Sequence, residues 1–241
     1  MSVIAMDDVT TSSVAYPGEK IEMRGFFVRP PGETPRPAVV ILHEWWGLND
    51  HIKDIARRFA REGFVALAPD LYSRHGHKVT ADAQEAAKLM ESLQSQLVLK
   101  DTNATTRWLT QQPFVDPLKL GAVGFCIGGT FALTMASHNS DIKAAVPFYG
   151  QVPPTDSLKY LVAPILYIHG GADTWIVKRE AERLQQGLHQ YGRPGEVVSY
   201  PNCPHAFFND TRPDVYRPDE AQDAWKRTLA FLRQRLRAQR A

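Results

Sequence analysis

The chain has 241 residues, of which 44% are hydrophobic, 10% aromatic and 22% charged, with 28 Lys and Arg against 26 Asp and Glu. That is the size and composition of one large globular domain with an ample apolar core, which excludes a disordered chain and removes any need for disulfides or a structural metal. A formal charge of +2 argues against nucleic acid as a partner, since such domains usually carry a basic face.

The N-terminal stretch carries Asp7 and Asp8 and lacks a basic start followed by an apolar core, so no signal peptide is expected. Apolar runs such as Pro37–Leu42 are far shorter than the roughly 20 residues that span a bilayer, so no membrane partner is expected either. A reducing, cytoplasmic setting follows as the default. Two cysteines, Cys126 and Cys203, are too few for a disulfide framework.

Along the chain, β-rich runs alternate with helical patterns. The expected strands are Ile21–Val28, Ala38–His43, Phe64–Pro69, Leu120–Phe125, Ala144–Phe148, Ile165–His169 and Glu196–Tyr200. Several are continuous apolar runs, as in strands covered on both faces. Ile52, Ile55 and Phe59 mark a helix capped by Asn49 or Asp50, and Ala81–Leu99, Asp101–Gln111, Ile127–Ser137, Val177–Tyr191 and Glu220–Arg237 read as the others. The alternation predicts one α/β domain over residues 1–241, a mostly parallel central sheet with helices on both faces. Ligands in such sheets bind beyond the carboxyl ends of the strands.

Reactive residues fall at those ends. Gly124-Phe125-Cys126-Ile127-Gly128 matches the G-x-S-x-G nucleophile elbow with cysteine in place of serine. Its glycines suit a turn too tight for side chains, and the thiol stands at a helix N-terminus that favours an anion. A buried structural cysteine in a glycine-rich turn is the alternative. Asp173, in His169-Gly170-Gly171-Ala172-Asp173, can orient a histidine or cap the next helix. His205 follows the last strand in Cys203-Pro204-His205-Ala206-Phe207. The order Cys126, Asp173, His205 is the nucleophile–acid–base order of the α/β-hydrolase triad. His43-Glu44-Trp45-Trp46-Gly47 follows the strand Ala38–His43, on the loop that supplies the second oxyanion donor in that fold. The donors are expected to be the backbone N–H groups of Trp45 and Ile127.

These residues, with Asp-Leu-Tyr-Ser-Arg at 70–74 and Pro-His-Ala-Phe at 204–207, make the chain resemble the dienelactone hydrolases (carboxymethylenebutenolidases) over nearly its full length. The resemblance implies the α/β-hydrolase fold, a Cys126–His205–Asp173 triad, no cofactor and no metal. It implies that Glu44 takes the proton from Cys126 once substrate binds, and that His205 activates the water that releases the acyl group. The family's substrate is an anionic lactone held by arginines. Arg74 aligns with one of them, an exposed loop arginine being the other reading, and Asn209 stands where the second would be, with Arg212 nearby but not aligned. A small lactone or ester, anionic or neutral, is therefore the expected partner, and a monomer the expected state. A broader carboxylesterase or thioesterase, or a non-catalytic thiol redox or binding module, is the alternative. Trp46, Tyr149 and Phe207 are expected to line the pocket or to pack in the core. His75-Gly76-His77 reads as mobile loop rather than a metal pair, and Cys203 as a small packed residue. The arginines between Arg233 and Arg240 read as a solvated helix end.

Overall fold

The structure, a computed structural model, describes residues 9–236. Asp7, Asp8, Arg237 and Arg240, on which expectations rested, lie outside the described residues. Its strands form an eight-stranded sheet in the order β1-β2-β4-β3-β5-β6-β7-β8. These are β1 (Thr10–Pro17), β2 (Glu22–Arg29), β3 (Arg36–Leu42), β4 (Val65–Pro69), β5 (Val115–Phe125), β6 (Ile142–Phe148), β7 (Ile165–Gly170) and β8 (Gly195–Tyr200). β2 pairs antiparallel with β1 and β4, whereas β3 runs parallel to β4, β6 to β7 and β7 to β8. The helices are α1 (Asp50–Arg61), α2 (Ala83–Glu91), α3 (Ser95–Thr110), α4 (Ile127–His138), α5 (Lys178–Gln190) and α6 (Pro218–Arg235). The fold is that of the α/β-hydrolases.

The chain divides into two compact units, Met1–Gly121 and Ala122–Ala241, with the boundary inside β5. In the first, the continuous apolar run of β3 and the whole of β4 are buried, and α1 packs on β2, β3 and β4 through Ile52, Ile55 and Phe59. Asn49, rather than Asp50, caps α1, its side chain accepting from the Ile52 amide at 3.2 Å. In the second unit α4 and α6 pack on β6, and α5 packs on β7 and β8. Phe125, Phe148 and Phe208 stack beneath the end of β5, with ring centroids 4.7 to 5.4 Å apart.

Two elements differ from expectation. β1 has no counterpart in the sequence reading, because Thr-Thr-Ser-Ser offers no apolar alternation; an eight-residue register with β2 makes it a strand. The first helical break falls at Ser92–Gln94 rather than at Lys100. There the Ser92 hydroxyl donates to the Leu89 carbonyl at 2.6 Å and closes α2, while α3 runs on through Asp101.

The Asn49 cap provides a direct check. Asn49→Ala is expected to lower stability by about 1 kcal/mol, read as a fall in the urea midpoint with the slope unchanged.

Candidate active site

The second unit brings Cys126, Asp173 and His205 together. Cys126 sits between β5 and α4 with φ 55°, ψ −119°, a left-handed conformation that side chains rarely adopt. The neighbouring glycines explain why the chain can hold it. A Cβ on Gly124 would lie 2.0 Å from the Gly128 carbonyl oxygen, and one on Gly129 would lie 2.5 Å from that of Phe148. Side chains are excluded on both sides of the turn, and the Cys126 amide is fixed by donating to the Phe148 carbonyl at 3.1 Å. The Cys126 side chain is buried, 7% exposed. Ile127 is the first residue of α4, so its N–H has no acceptor within the helix.

Asp173 lies on the loop after β7 and does not cap the next helix: α5 begins at Lys178 with Val177 at its N-cap and no side-chain cap bond. Oδ1 accepts from the amides of Trp175 and Ile176 at 2.7 and 2.9 Å, which fixes the carboxylate's direction. Oδ2 is 2.7 Å from His205 Nδ1. The histidine therefore donates from Nδ1 to a carboxylate that is itself held by two backbone donors.

Gly170 and Gly171 bring the Asp173 and His205 loops into contact. A Cβ on Gly170 would lie 2.5 Å from the Cys203 carbonyl oxygen, and one on Gly171 would lie 2.7 Å from Pro201 Cα. The Ala172 amide donates to the Cys203 carbonyl at 3.0 Å and ties the loops together. Sequence reasoning missed a second tie. His169, fully buried, has Nε2 2.8 Å from the Ile176 carbonyl oxygen and Nδ1 3.0 Å from Ser199 Oγ. Its place at the end of an apolar strand was the available signal.

Burial disfavours the charged form of His205, but the hydrogen bond to Asp173 and the interaction with the Cys126 sulfur outweigh it, and the pKa is pushed up to about 10. Nε2 is buried and turned to the Cys126 sulfur, which favours the protonated ring by hydrogen bonding and by charge. Three non-glycine residues with positive φ gather here: Cys126, Tyr149 at 38° and Ala206 at 62°. Strain of about 1–3 kcal/mol at each such position is characteristic of functional sites.

In the first unit, the His-Glu-Trp-Trp-Gly segment is built around His43. Its Nδ1 is 2.6 Å from the Glu44 carbonyl oxygen and its Nε2 is 3.0 Å from the Leu71 amide, so both ring nitrogens are tied to the backbone. Glu44 is 1% exposed. Trp45 and Trp46 are half-buried with rings 4.9 Å apart, and the Tyr72 hydroxyl donates to the Trp45 carbonyl. Gly47 has φ 88° and passes so close to the Lys78 carbonyl oxygen that a Cβ would lie 2.3 Å from it.

Both arginines near the expected site are engaged by carboxylates of the chain. Arg74 Nε and Nη2 are each 2.9 Å from an Asp101 carboxylate oxygen, and Nη2 also donates to the Glu19 carbonyl at 2.6 Å. Its planar fork is thus occupied by a buried carboxylate, Asp101. Arg212 pairs with Asp214 at 2.7 Å, and Asn209, 1% exposed, has Oδ1 accepting from the Thr211 amide and hydroxyl. Tyr149 and Phe207 are fully buried, but Tyr149 contacts the His205 ring at 5.0 Å and Phe207 lies behind it at 6.0 Å. His75 and His77 belong to an ordered segment rather than a mobile loop: His75 ends a 3-10 turn, and His77 Nδ1 is 2.8 Å from Asp70 Oδ2. Cys203 is fully buried, and its thiol is pushed up to about 11 by burial and by the charge of Glu220. Among the described residues no cluster is suited to a metal ion, and no helix is long and apolar enough to cross a membrane.

The dienelactone hydrolase family model matches residues 23–236. A Yersinia pestis protein provisionally named a carboxymethylenebutenolidase is 35% identical over 231 residues, covering 90% of this chain and 86% of its own. A Bradyrhizobium protein, named with similar reserve a 2-oxo-3-(5-oxofuran-2-ylidene)propanoate lactonase, is 36% identical over 90% of this chain and 91% of its own. The crystal structure of a Klebsiella pneumoniae protein, described provisionally as a dienelactone hydrolase, superimposes with a TM-score of 0.87 at 30% identity, covering 94% of this chain and 99% of that one.

Two outcomes test this geometry. Arg74→Ala leaves the Asp101 carboxylate buried without its partner and is expected to cost about 3 kcal/mol in denaturant unfolding. His205 has a folded-state pKa above its ordinary 6.5, so the stability it adds is fully present below about pH 6.5 and is lost as pH rises through about 10. The stability gap between the wild type and His205→Gln is therefore expected to shrink from pH 6 to pH 10.5.

Proposed function

The chain belongs to the dienelactone hydrolase family, and from that premise we propose that it opens a small lactone or cleaves a small ester through a Cys126–His205–Asp173 triad and a covalent acyl-enzyme. The observation that carries this reading is a thiol on a left-handed strand-to-helix turn, coupled to a histidine whose other nitrogen is held at 2.7 Å by a buried carboxylate. That is the arrangement of a nucleophile, a base and the group that orients the base.

The steps follow the family resemblance. Glu44 accepts the thiol proton, and the Cys126 thiolate attacks the substrate carbonyl. The Ile127 N–H, which has no acceptor within α4, receives the oxyanion, with the Trp45 N–H as the second donor that the family resemblance implies; one such donor is worth about 3–4 kcal/mol of barrier lowering. The carbon–oxygen bond then breaks, leaving a thioester; the leaving oxygen, an enolate still tethered to the acyl group in an enol lactone or a free alkoxide from an ester, takes the proton of the His205 imidazolium and leaves that ring neutral. His205 takes a proton from water as that water attacks the thioester, and collapse of the second tetrahedral intermediate returns the thiolate. Acylation itself prepares His205 for this step. Once the sulfur is tied up in a thioester, one of the two interactions that hold the proton on the imidazole is gone, and the ring is more readily neutral and basic.

Arg74 favours a second reading on substrate choice. With its guanidinium engaged by Asp101 and asparagine at position 209, neutral esters and lactones are better suited than an anionic dienelactone. This corresponds to a broader carboxylesterase on the same machinery. Trp46, with its half-buried indole, remains a candidate for the pocket wall.

A panel of a dienelactone and a neutral aryl ester tests both points. Cys126→Ala and His205→Ala are each expected to lower kcat/KM at least a thousandfold on both substrates. Turnover surviving both substitutions overturns the triad. Wild-type kcat/KM is expected to be higher for the neutral ester than for the dienelactone, and the reverse ranking restores the anionic substrate.

A further inference from the structure

Trp175 is 55% exposed, an unusual place for the largest apolar side chain, and it is not spare surface. Its indole lies against the His205 imidazole with ring centroids 5.2 Å apart and planes within 24°, a stacked pair. Its own amide is one of the two donors to Asp173 Oδ1, at 2.7 Å. The turn that orients the carboxylate therefore also sets the indole over the histidine. Ile176, the next residue, donates its amide to the same oxygen and has its carbonyl 2.8 Å from His169 Nε2, so the loop is held on both sides of the stack. Tyr149 contacts the same imidazole at 5.0 Å with its plane tilted by 59°. Two aromatic rings and one carboxylate thus fix the orientation of a ring whose Nε2 must meet sulfur and water in turn.

We propose that Trp175 is a positioning residue that stabilises the imidazolium form of His205 by cation–π stacking and so sets the pH at which the histidine gives up its proton. The electron-rich face of an indole attracts a cation more strongly than that of any other side chain, and the attraction vanishes when the imidazole is neutral. The stack thus holds the proton while the thiolate is present and relaxes when His205 acts as a base. Within the second unit, the charged or titratable groups against His205 are the Asp173 carboxylate, the Cys126 thiol and Tyr149, the last through its ring. Asp173 and Cys126 act in the same direction as the indole, so its contribution has to be measured as a difference between variants. The functional consequence rests on the proposed triad; the proton-holding effect does not, because it is read without turnover.

The test is a histidine NMR titration of the intact chain labelled at histidine, with the His205 resonance assigned by its loss in His205→Gln. Trp175→Leu is expected to lower the His205 midpoint by about half a unit to one unit, and Trp175→Phe by less. The same shift is expected in a Glu44→Gln background, which removes that carboxylate as the cause. Protonated histidine quenches a stacked indole, so wild-type tryptophan fluorescence is expected to rise as His205 titrates, a component absent from both Trp175→Phe and His205→Gln. If the midpoint is unchanged in Trp175→Leu while KM alone rises, Trp175 is a substrate-facing surface and the proposal fails. If the midpoint shifts as expected but His205→Ala keeps full turnover, the triad fails and the stacking assignment stands.

Discussion

The hydrogen bond between Asp173 and His205 is the contact on which the site depends, and much of the second unit maintains it. The carboxylate is aimed by two amides of its own loop, that loop is anchored through His169, and Gly170 and Gly171 allow the two loops to approach without side chains between them. The bond fixes the imidazole tautomer with hydrogen on Nδ1 and turns Nε2 toward Cys126, as the proposed mechanism requires. A shift of either loop by an ångström would leave a buried carboxylate without its partner, so the arrangement is as costly to lose as it is useful to keep.

Strain and order are distributed accordingly. Cys126, Tyr149 and Ala206 occupy backbone conformations that disfavour side chains, while the apolar floor of Phe125, Phe148 and Phe208 packs tightly beneath the elbow. The floor offsets what the strained positions cost. In the first unit the buried ion pair of Arg74 and Asp101 does comparable work, joining the turn after β1, the 3-10 segment and α3 around one carboxylate.

What the sequence disclosed was what local chemistry decides. Buried strands appeared as unbroken apolar runs, and the elbow appeared because its glycines are required by contacts only a few residues apart. Asp173 and His205 could be placed because each follows a strand in a fixed order. What stayed hidden depends on partners distant in the chain. β1 is a strand through its register with β2, and nothing in Thr10–Ser13 announces it. Arg74 looked like an anchor by alignment, and its commitment to Asp101, 27 residues away, is a fact of three-dimensional packing. Trp175 was passed over because an aromatic residue on a polar loop has no sequence signature until the ring beneath it is known.

The contrast between the two cysteines bears on how the protein can be handled. Cys203 is fully buried and its thiol is held in the protonated form by its surroundings, while Cys126, also buried, lies on the strand-to-helix turn beside His205. Under the proposed triad Cys126 is the sulfur that reacts, and alkylation in the native state would be confined to it. Incorporated label would then count chains with a working nucleophile, so that one titration gives their concentration in a preparation.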